Sequence, residues 1–150
     1  MNRSLPERPN RLDDSPIRPF DEAAIVILGI GIDIIEVARI RASLEKFGER
    51  FGQRILLPAE KEYCLAHANP TPFVAARFAA KEAISKAFGT GIGAQLGWQD
   101  MEIAHRESGE PYVILHGKGK ALFAARQAAR LLVSISHTDQ YAAVVAVLEG

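Results

Sequence analysis

The sequence predicts an α+β fold in which a mostly antiparallel sheet packs against one long central helix. Strand and helix patterns are mixed along the chain, without the regular βαβ alternation of a parallel sheet. One predicted helix is apolar on two sides, which is typical of a helix packed from both directions. The chain has 150 residues, 48% of them hydrophobic and 24% charged, as expected for one globular domain.

Composition excludes several classes of protein. Eighteen basic and eighteen acidic side chains give a formal net charge of zero, which argues against a general nucleic-acid binder. The longest apolar stretch, residues 23–32, falls far short of the roughly 20 residues of a membrane span. Asp21 and Glu22 precede it, where a signal peptide carries positive charge. The single cysteine, Cys64, has no intrachain partner, which suits the reducing cytoplasm, so we expect a cytoplasmic protein. From the charge balance and the short apolar stretch we expect neither a nucleic-acid nor a membrane partner.

The amino terminus differs from the rest of the chain. Residues 1–22 contain four of the eight prolines, many charges and few large apolar side chains. Such a segment buries too little surface to offset the entropy lost on ordering. We therefore predict a flexible extension over residues 1–24 and a single domain over residues 25–150.

The first predicted elements are one strand and two helices. Residues 24–34 are apolar and β-branched, which favours a strand buried on both faces. Residues 36–50 show the apolar periodicity of an amphipathic helix. Pro58 suits the first turn of a short helix over residues 59–68.

The central helix and the elements after it complete the sheet. Pro72 opens an alanine-rich helix that runs to residue 88, and Gly89 ends it. A glycine-rich loop over residues 89–93 follows. The last predicted elements are four strands and one helix: strands 100–105 and 111–116, helix 118–130, and strands 131–136 and 141–149.

Asp33 is the first candidate functional residue. It ends an apolar strand after Gly29 and Gly31, but Ile34 stands where a dinucleotide fingerprint requires a third glycine. Asp33 or a neighbour could simply cap the next helix, since aspartate is a favoured N-cap residue. Alternatively it is a ligand for Mg²⁺, which proteins usually hold with one or two carboxylates and substrate phosphates.

The central helix carries the second candidate group. Glu82 and Lys86 are four residues apart and could form an ordinary exposed ion pair. A helix packed from both sides instead favours at least one of these charges lining a cleft. Arg77 and Lys81 add cations along the adjoining edge, and such cations beside a magnesium site suit a pyrophosphate group.

Two further segments have both a functional and an ordinary interpretation. Gly89 and Gly91 could let backbone N–H groups approach phosphate oxygens, or could belong to a flexible connection after a helix. Near the end of a predicted strand, Ser136 and His137 point to opposite faces and cannot form a nucleophile–base pair. No Gly-x-Ser-x-Gly elbow surrounds Ser136. His137 is therefore a candidate phosphate or nucleobase contact, or a plain structural residue.

These segments together carry a family resemblance. Residues 29–34 (GIGIDI), 77–93 (RFAAKEAISKAFGTGIG) and 133–138 (VSISHT) resemble the holo-[acyl-carrier-protein] synthases, small bacterial members of the 4′-phosphopantetheinyl transferase superfamily. The likeness covers about residues 25–149 and leaves only the amino-terminal extension outside it. It implies the 4′-phosphopantetheinyl transferase fold.

The resemblance also implies an activity and a set of site residues. Such an enzyme transfers 4′-phosphopantetheine from coenzyme A to a serine of apo acyl carrier protein, in fatty acid biosynthesis, and releases adenosine 3′,5′-bisphosphate. Asp33 and Glu82 would bind Mg²⁺ and, with Lys86, form the catalytic group. The residues implied to contact coenzyme A are Arg77, Lys86, Gly89, Gly91, His137 and Thr138. The proton acceptor for the serine stays open between Glu82, Lys86 and a water held by the ion.

The family resemblance also implies a homotrimer, with sites between subunits and Asp33 of one chain facing Glu82 of another or lying near it.

A separate argument concerns the carrier protein. Residues 39–54 carry five basic and two acidic side chains, and the periodicity places Arg39, Lys46 and Arg50 on one helical stripe. This stripe is either an ordinary solvated face or a docking surface for an acidic protein.

Two other functions fit the same residues. Asp33 and Glu82 could bind the metal of a nucleotide phosphohydrolase. The chain could also be a non-catalytic module that binds coenzyme A or an acidic protein.

Overall fold

The computed structural model describes residues 24–150, so almost all of the predicted extension (residues 1–24) lies outside the described residues. The elements follow the order β1 (Ile27–Glu36), α1 (Val37–Phe47), α2 (Glu49–Ile55), α3 (Pro58–Leu65), α4 (Thr71–Phe88), β2 (Met101–His105), β3 (Pro111–Leu115), α5 (Gly117–Ala125), β4 (Arg130–His137) and β5 (Tyr141–Glu149). A short 3-10 helix, Trp98–Asp100, precedes β2. Nowhere in the described residues does a helix combine the length and apolar character that crossing a membrane requires.

The strands form two antiparallel sheets. The larger has the order β1-β5-β4, and β2 and β3 form a separate hairpin. The β-branched and apolar runs of the sequence account for all five strands. The predicted α+β class and antiparallel pairing are confirmed.

Helix α4 is the centre of the fold. Thirteen of its eighteen residues are buried. It packs against β1 and β5 on one side and against α1, α3 and β2 elsewhere. Phe78 contacts the Trp98 ring at 4.9 Å between ring centroids. The prediction that this helix is packed from two sides is confirmed, and Gly89 ends it in the left-handed conformation at φ 75°.

The two glycines of β1 let the strand approach α4 closely. An added Cβ at Gly29 would lie 1.9 Å from the carbonyl oxygen of Ala87, and one at Gly31 would lie 1.9 Å from that of Ala83. No side chain fits at such distances. The Gly-x-Gly spacing therefore serves strand–helix packing, and it fixes how near Asp33 lies to α4.

One face of β1 is uncovered in the single chain. Ile30, Ile32 and Ile34 are 66%, 68% and 67% exposed, whereas Gly31 and Ile35 face the core and are buried. The prediction of burial on both faces is wrong for the single chain, because α4 covers only the inner face.

Three predicted helices end earlier than the sequence indicates. Gly48, at φ 57° and ψ −141°, divides the predicted 36–50 helix into α1 and α2. Gln127, at φ 52°, stands two residues beyond α5, which ends at Ala125 and not at residue 130. Pro58 is the first residue of α3, as predicted, although that helix stops at Leu65.

Candidate active site

Asp33 lies within β1 and points towards α4. The strand continues to Glu36, so Asp33 is three residues too early to cap α1. Glu36 occupies the N-cap position and makes no side-chain cap bond. The capping alternative is therefore wrong. The Asp33 side chain is 17% exposed, which leaves its carboxylate within reach of solvent and ligands.

Lys86 joins α4 to β1 at this point. Its Nζ donates to Asp33 Oδ1 at 3.0 Å and to the carbonyl oxygen of Ile32 at 2.9 Å. Half of the Lys86 side chain remains exposed. No ion pair joins Lys86 to Glu82 among the described residues, so the interpretation of these two as a simple exposed pair along the helix is wrong.

Glu82 completes the cluster from the same helix. It is half-buried, and burial is the main cause that raises its pKa above the ordinary value of 4.5. The negative charge of Asp33 raises the pKa further, and the positive charge of Lys86 lowers it. Asp33 and Glu82 thus interact within one chain, so the expected placement across two chains is not needed to bring them together.

Arg77 lies apart from these three residues. It is 2% exposed, and its guanidinium carbon lies 4.1 Å from the centre of the Tyr63 ring. Nη1 donates to the carbonyl oxygen of Phe73 at a long 3.5 Å, and Nε has no partner among the described residues. Within the described chain, therefore, this buried cation forms no ion pair with a carboxylate.

Three histidines pack on the rings of Tyr63 and Phe73, the two residues that Arg77 contacts. His105 stacks on Tyr63 at 4.7 Å, and His67 stacks on Phe73 at 3.6 Å. His137 meets the edge of Phe73 at 5.0 Å. Burial, followed by the charge of Arg77, lowers the pKa of His105. Sequence reasoning missed Tyr63, His67 and His105, whose only signal is the four-residue spacing of Tyr63 and His67.

The glycine loop and the β4–β5 turn use their own hydrogen bonds. The N–H groups of Thr90 and Gly91 both donate to the carbonyl oxygen of Ser85, and that of Gly89 donates to Lys86. A phosphate contact through these groups requires those bonds to open. Thr138 Oγ1 accepts from the N–H groups of Gln140 and Tyr141, while the N–H of Thr138 donates to the Tyr141 carbonyl oxygen.

The basic residues of the predicted docking stripe lie on two helices. Arg39 and Lys46 are on α1, whereas Arg50 is on α2 because Gly48 separates the helices. All three are exposed. An open groove of about 630 Å³ is lined by Lys46, Phe47, Arg50, Phe51 and Arg54, without Arg39. The single continuous stripe is therefore wrong, although two of its three members share this groove.

Burial disfavours Cys64 as a nucleophile and Lys81 as a phosphate contact. Burial raises the pKa of the Cys64 thiol to about 11, so it is a poor nucleophile at neutral pH. Lys81, expected along the edge of the cleft, is fully buried. No group of three or more His, Cys, Asp or Glu side chains suited to a metal occurs within residues 24–150.

Comparison with known proteins gives consistent matches over most of the chain. The sequence model of the 4′-phosphopantetheinyl transferase superfamily matches residues 29–146. A holo-[acyl-carrier-protein] synthase of Koribacter versatilis (strain Ellin345) is 46% identical over 124 residues, which are 83% of this chain and 99% of that protein.

Solved structures match as well. The crystal structure of holo-[acyl-carrier-protein] synthase from Neisseria meningitidis has a TM-score of 0.79 and 33% identity, over 83% of this chain and 100% of that chain. A holo-(acyl-carrier-protein) synthase from Bacillus anthracis str. Ames, in complex with CoA (3′,5′-ADP), has a TM-score of 0.69 and 40% identity, over 85% and 99% of the two chains.

Proposed function

This chain belongs to the 4′-phosphopantetheinyl transferase superfamily, and from that premise we propose that it converts apo acyl carrier protein to its holo form. A serine oxygen of the carrier attacks the β-phosphorus of coenzyme A. The bond from that phosphorus to the bridging oxygen breaks, and adenosine 3′,5′-bisphosphate leaves with that oxygen. The observation that carries the proposal is the cluster of Asp33, Glu82 and Lys86, in a chain similar to relatives of that name.

The two carboxylates fit a magnesium ion. Asp33 lies near enough to Glu82 to raise its pKa, and both side chains retain access to solvent. Two carboxylates completed by substrate phosphates are the usual protein ligands of Mg²⁺. Asp33 and Glu82 would hold the ion, which when bound neutralises charge on the pyrophosphate and on the leaving bisphosphate.

Lys86 supplies a second positive charge at the same place. Its Nζ donates to Asp33 Oδ1 and to the carbonyl oxygen of Ile32, and these two bonds orient Nζ without enclosing it. An ammonium group placed before reaction stabilises the charge on phosphate oxygens without reorganisation of the site. We therefore assign Lys86 to a phosphate of coenzyme A.

Arg77 supports a second anion contact. A guanidinium that is 2% exposed with an unpaired Nε is costly unless an anion partners it. A coenzyme A phosphate reaching Arg77 would supply that partner, and His137 lies next to Phe73 at the edge of the same cluster. Gly89, Gly91 and Thr138 stay predictions as nucleotide neighbours.

The groove between α1 and α2 is our proposed carrier docking surface. Its cations and its two phenylalanines suit an acidic partner with apolar residues. We expect Arg50→Glu to raise the KM for carrier protein at least tenfold and to leave the Kd of coenzyme A unchanged. Lys120→Glu, an equal charge change at an exposed position of α5 that forms no ion pair among the described residues, is the matched control. Equal effects of the two variants would contradict docking at this groove.

We also propose that further copies of this chain cover the outer face of β1, in the trimer that the family resemblance implies. Ile30, Ile32 and Ile34, each near 67% exposure, form a continuous apolar row on one face of β1, and contiguous apolar patches mark protein–protein contacts. Light scattering coupled to size exclusion should give three chains per particle, and Ile32→Glu should give one. A monomeric wild-type protein would contradict this proposal.

We place the protein in the cytoplasm, where a lone thiol such as Cys64 stays reduced.

Mass spectrometry of an apo acyl carrier protein tests the central proposal. Incubation with this protein, coenzyme A and Mg²⁺ should add one phosphopantetheine to the carrier, and chelation of the magnesium should prevent the addition. Release of phosphate without carrier modification would favour the phosphohydrolase. Binding of coenzyme A without turnover would favour the non-catalytic module.

A further inference from the structure

Lys81 stands next to Glu82 in the sequence but is turned into the interior. Its side chain is 0% exposed. Nζ donates to Glu60 Oε2 at 2.7 Å, to the Ile55 carbonyl oxygen at 2.5 Å and to the Trp98 carbonyl oxygen at 3.1 Å. Three donors and three acceptors leave this ammonium group fully satisfied. One side chain of α4 thereby joins α2, α3 and the 3-10 helix.

Glu60 extends this junction to one more segment, β2, and also caps its own helix. Its Oε2 also accepts from the N–H of Leu57, at the start of α3, at 2.8 Å. Its Oε1 accepts from the N–H of Ile103 in β2 at 2.9 Å. The Glu60 carboxylate is as buried as Lys81, so solvent does not reach the pair and salt weakens its attraction little. Burial lowers the pKa of Lys81, and the charge of Glu60 opposes that shift.

The carboxyl end of α2 depends on this junction. The last carbonyl groups of a helix have no partner within it. Here the two N–H groups of Gln99 Nε2 are shared among the carbonyl oxygens of Gln53, Arg54 and Leu56, and Lys81 donates to the remaining one, that of Ile55. A positive charge at that end also suits the helix dipole. Two side chains from outside therefore hold a helix of only seven residues.

Helix α2 carries Arg50, Phe51 and Arg54, three of the five residues that line the groove. Helix α4 carries Glu82 and Lys86. We propose that Lys81, with Glu60, is a positioning residue that holds the groove of α2 at a fixed place relative to the catalytic cluster of α4. This inference rests on the proposed function, since it assumes that the carrier protein docks on α2.

The test separates docking from catalysis and from folding. Glu60→Gln/Lys81→Met neutralises both buried charges together, so that neither is left unpaired. Helix α4 remains packed on β1 and β5, so we expect the Kd of coenzyme A to stay within twofold of wild type. The KM for carrier protein should rise at least fivefold at a temperature where circular dichroism shows the variant folded. Gln99→Ala, at an exposed position, removes bonds to α2 alone and should raise the same KM two- to threefold.

Each outcome decides the inference. Equal weakening of coenzyme A and carrier binding in the folded double variant would mean a general structural role and would overturn it. An unchanged carrier KM in Gln99→Ala would also overturn it, and this variant decides alone if the double variant does not fold. A wild-type protein that leaves the carrier unmodified would refute the proposed function, whereas an active wild type without the split in the variants refutes only the positioning role.

Discussion

Replacing Gly31 by alanine tests whether the close approach of β1 to α4 sets the geometry of the active site. The new methyl group would stand 1.9 Å from the carbonyl oxygen of Ala83 and 2.8 Å from the backbone nitrogen of Ala87. Both atoms are backbone, so no side-chain rotation relieves the overlap. An ordinary contact needs about 3.4 Å, so strand and helix must separate by roughly 1.5 Å.

The expected cost follows from that displacement. Overpacking of a tightly packed core costs about 1–3 kcal/mol, and a backbone clash belongs at the upper end. A loss of about 3 kcal/mol lowers the melting temperature of a domain of this size by about 10 °C. Asp33 lies two residues further along β1, and Glu82 lies beside Ala83 on α4. Since a misplacement of about 1 Å can cost about a hundredfold in rate, kcat/KM should fall by about that factor.

Calorimetry gives the melting temperature, and carrier modification at 15 °C gives the rate of the folded variant. Gly52→Ala is the matched control, because a Cβ at Gly52 meets nothing within 4 Å and Gly52 lies inside α2. That change should stabilise the protein by about 0.5–1 kcal/mol. If Gly31→Ala melts within about 1 °C of wild type, or retains its rate, the strand–helix contact does not control the site.

Two further predictions concern Glu82. Glu82→Gln removes a proposed metal ligand and should lower kcat/KM at least a hundredfold. Without magnesium, the variant should melt no lower than wild type, because the substitution also removes the charge repulsion between Glu82 and Asp33. A lower melting temperature with an unchanged rate would show a structural role instead. The raised pKa of Glu82 also means that its carboxylate takes up a proton at a pH above 4.5, so the magnesium concentration for half-maximal rate should rise on acidification before that pH is reached. Because the folded protein raises the pKa of Glu82, the ionised carboxylate lowers the stability of the magnesium-free protein above that folded-state pKa. Acidification should remove this loss of stability in wild type, whereas Glu82→Gln should show no such change.

The sequence predicts local structure here better than it predicts the setting of charged side chains. The β-branched runs, Gly89 after α4 and Pro58 before α3 specify their elements through short-range preferences. Gly48 breaks a helix whose apolar periodicity continues past it, because its backbone, at φ 57° and ψ −141°, adopts a non-helical conformation that glycine permits.

Long-range partners account for what the sequence leaves open. Lys81 and Arg77 look alike as cations on α4, yet Lys81 pairs with Glu60, 21 residues earlier, and Arg77 has no carboxylate among the described residues. Lys86 pairs with Asp33, 53 residues away, in preference to Glu82 one helical turn away. Periodicity identifies the face of a helix, whereas the identity of the group opposite depends on tertiary packing.

The exposed isoleucines of β1, Ile30, Ile32 and Ile34, also affect how destabilised variants of this protein behave. Within the described residues β1 is an edge strand of its sheet, so the exposed apolar face lies next to backbone N–H and C=O groups that have no neighbouring strand. Borders of this kind recruit other chains and seed precipitates. Variants with a loosened β1 should accumulate as inclusion bodies, and their yield should depend more steeply on expression level than on melting temperature.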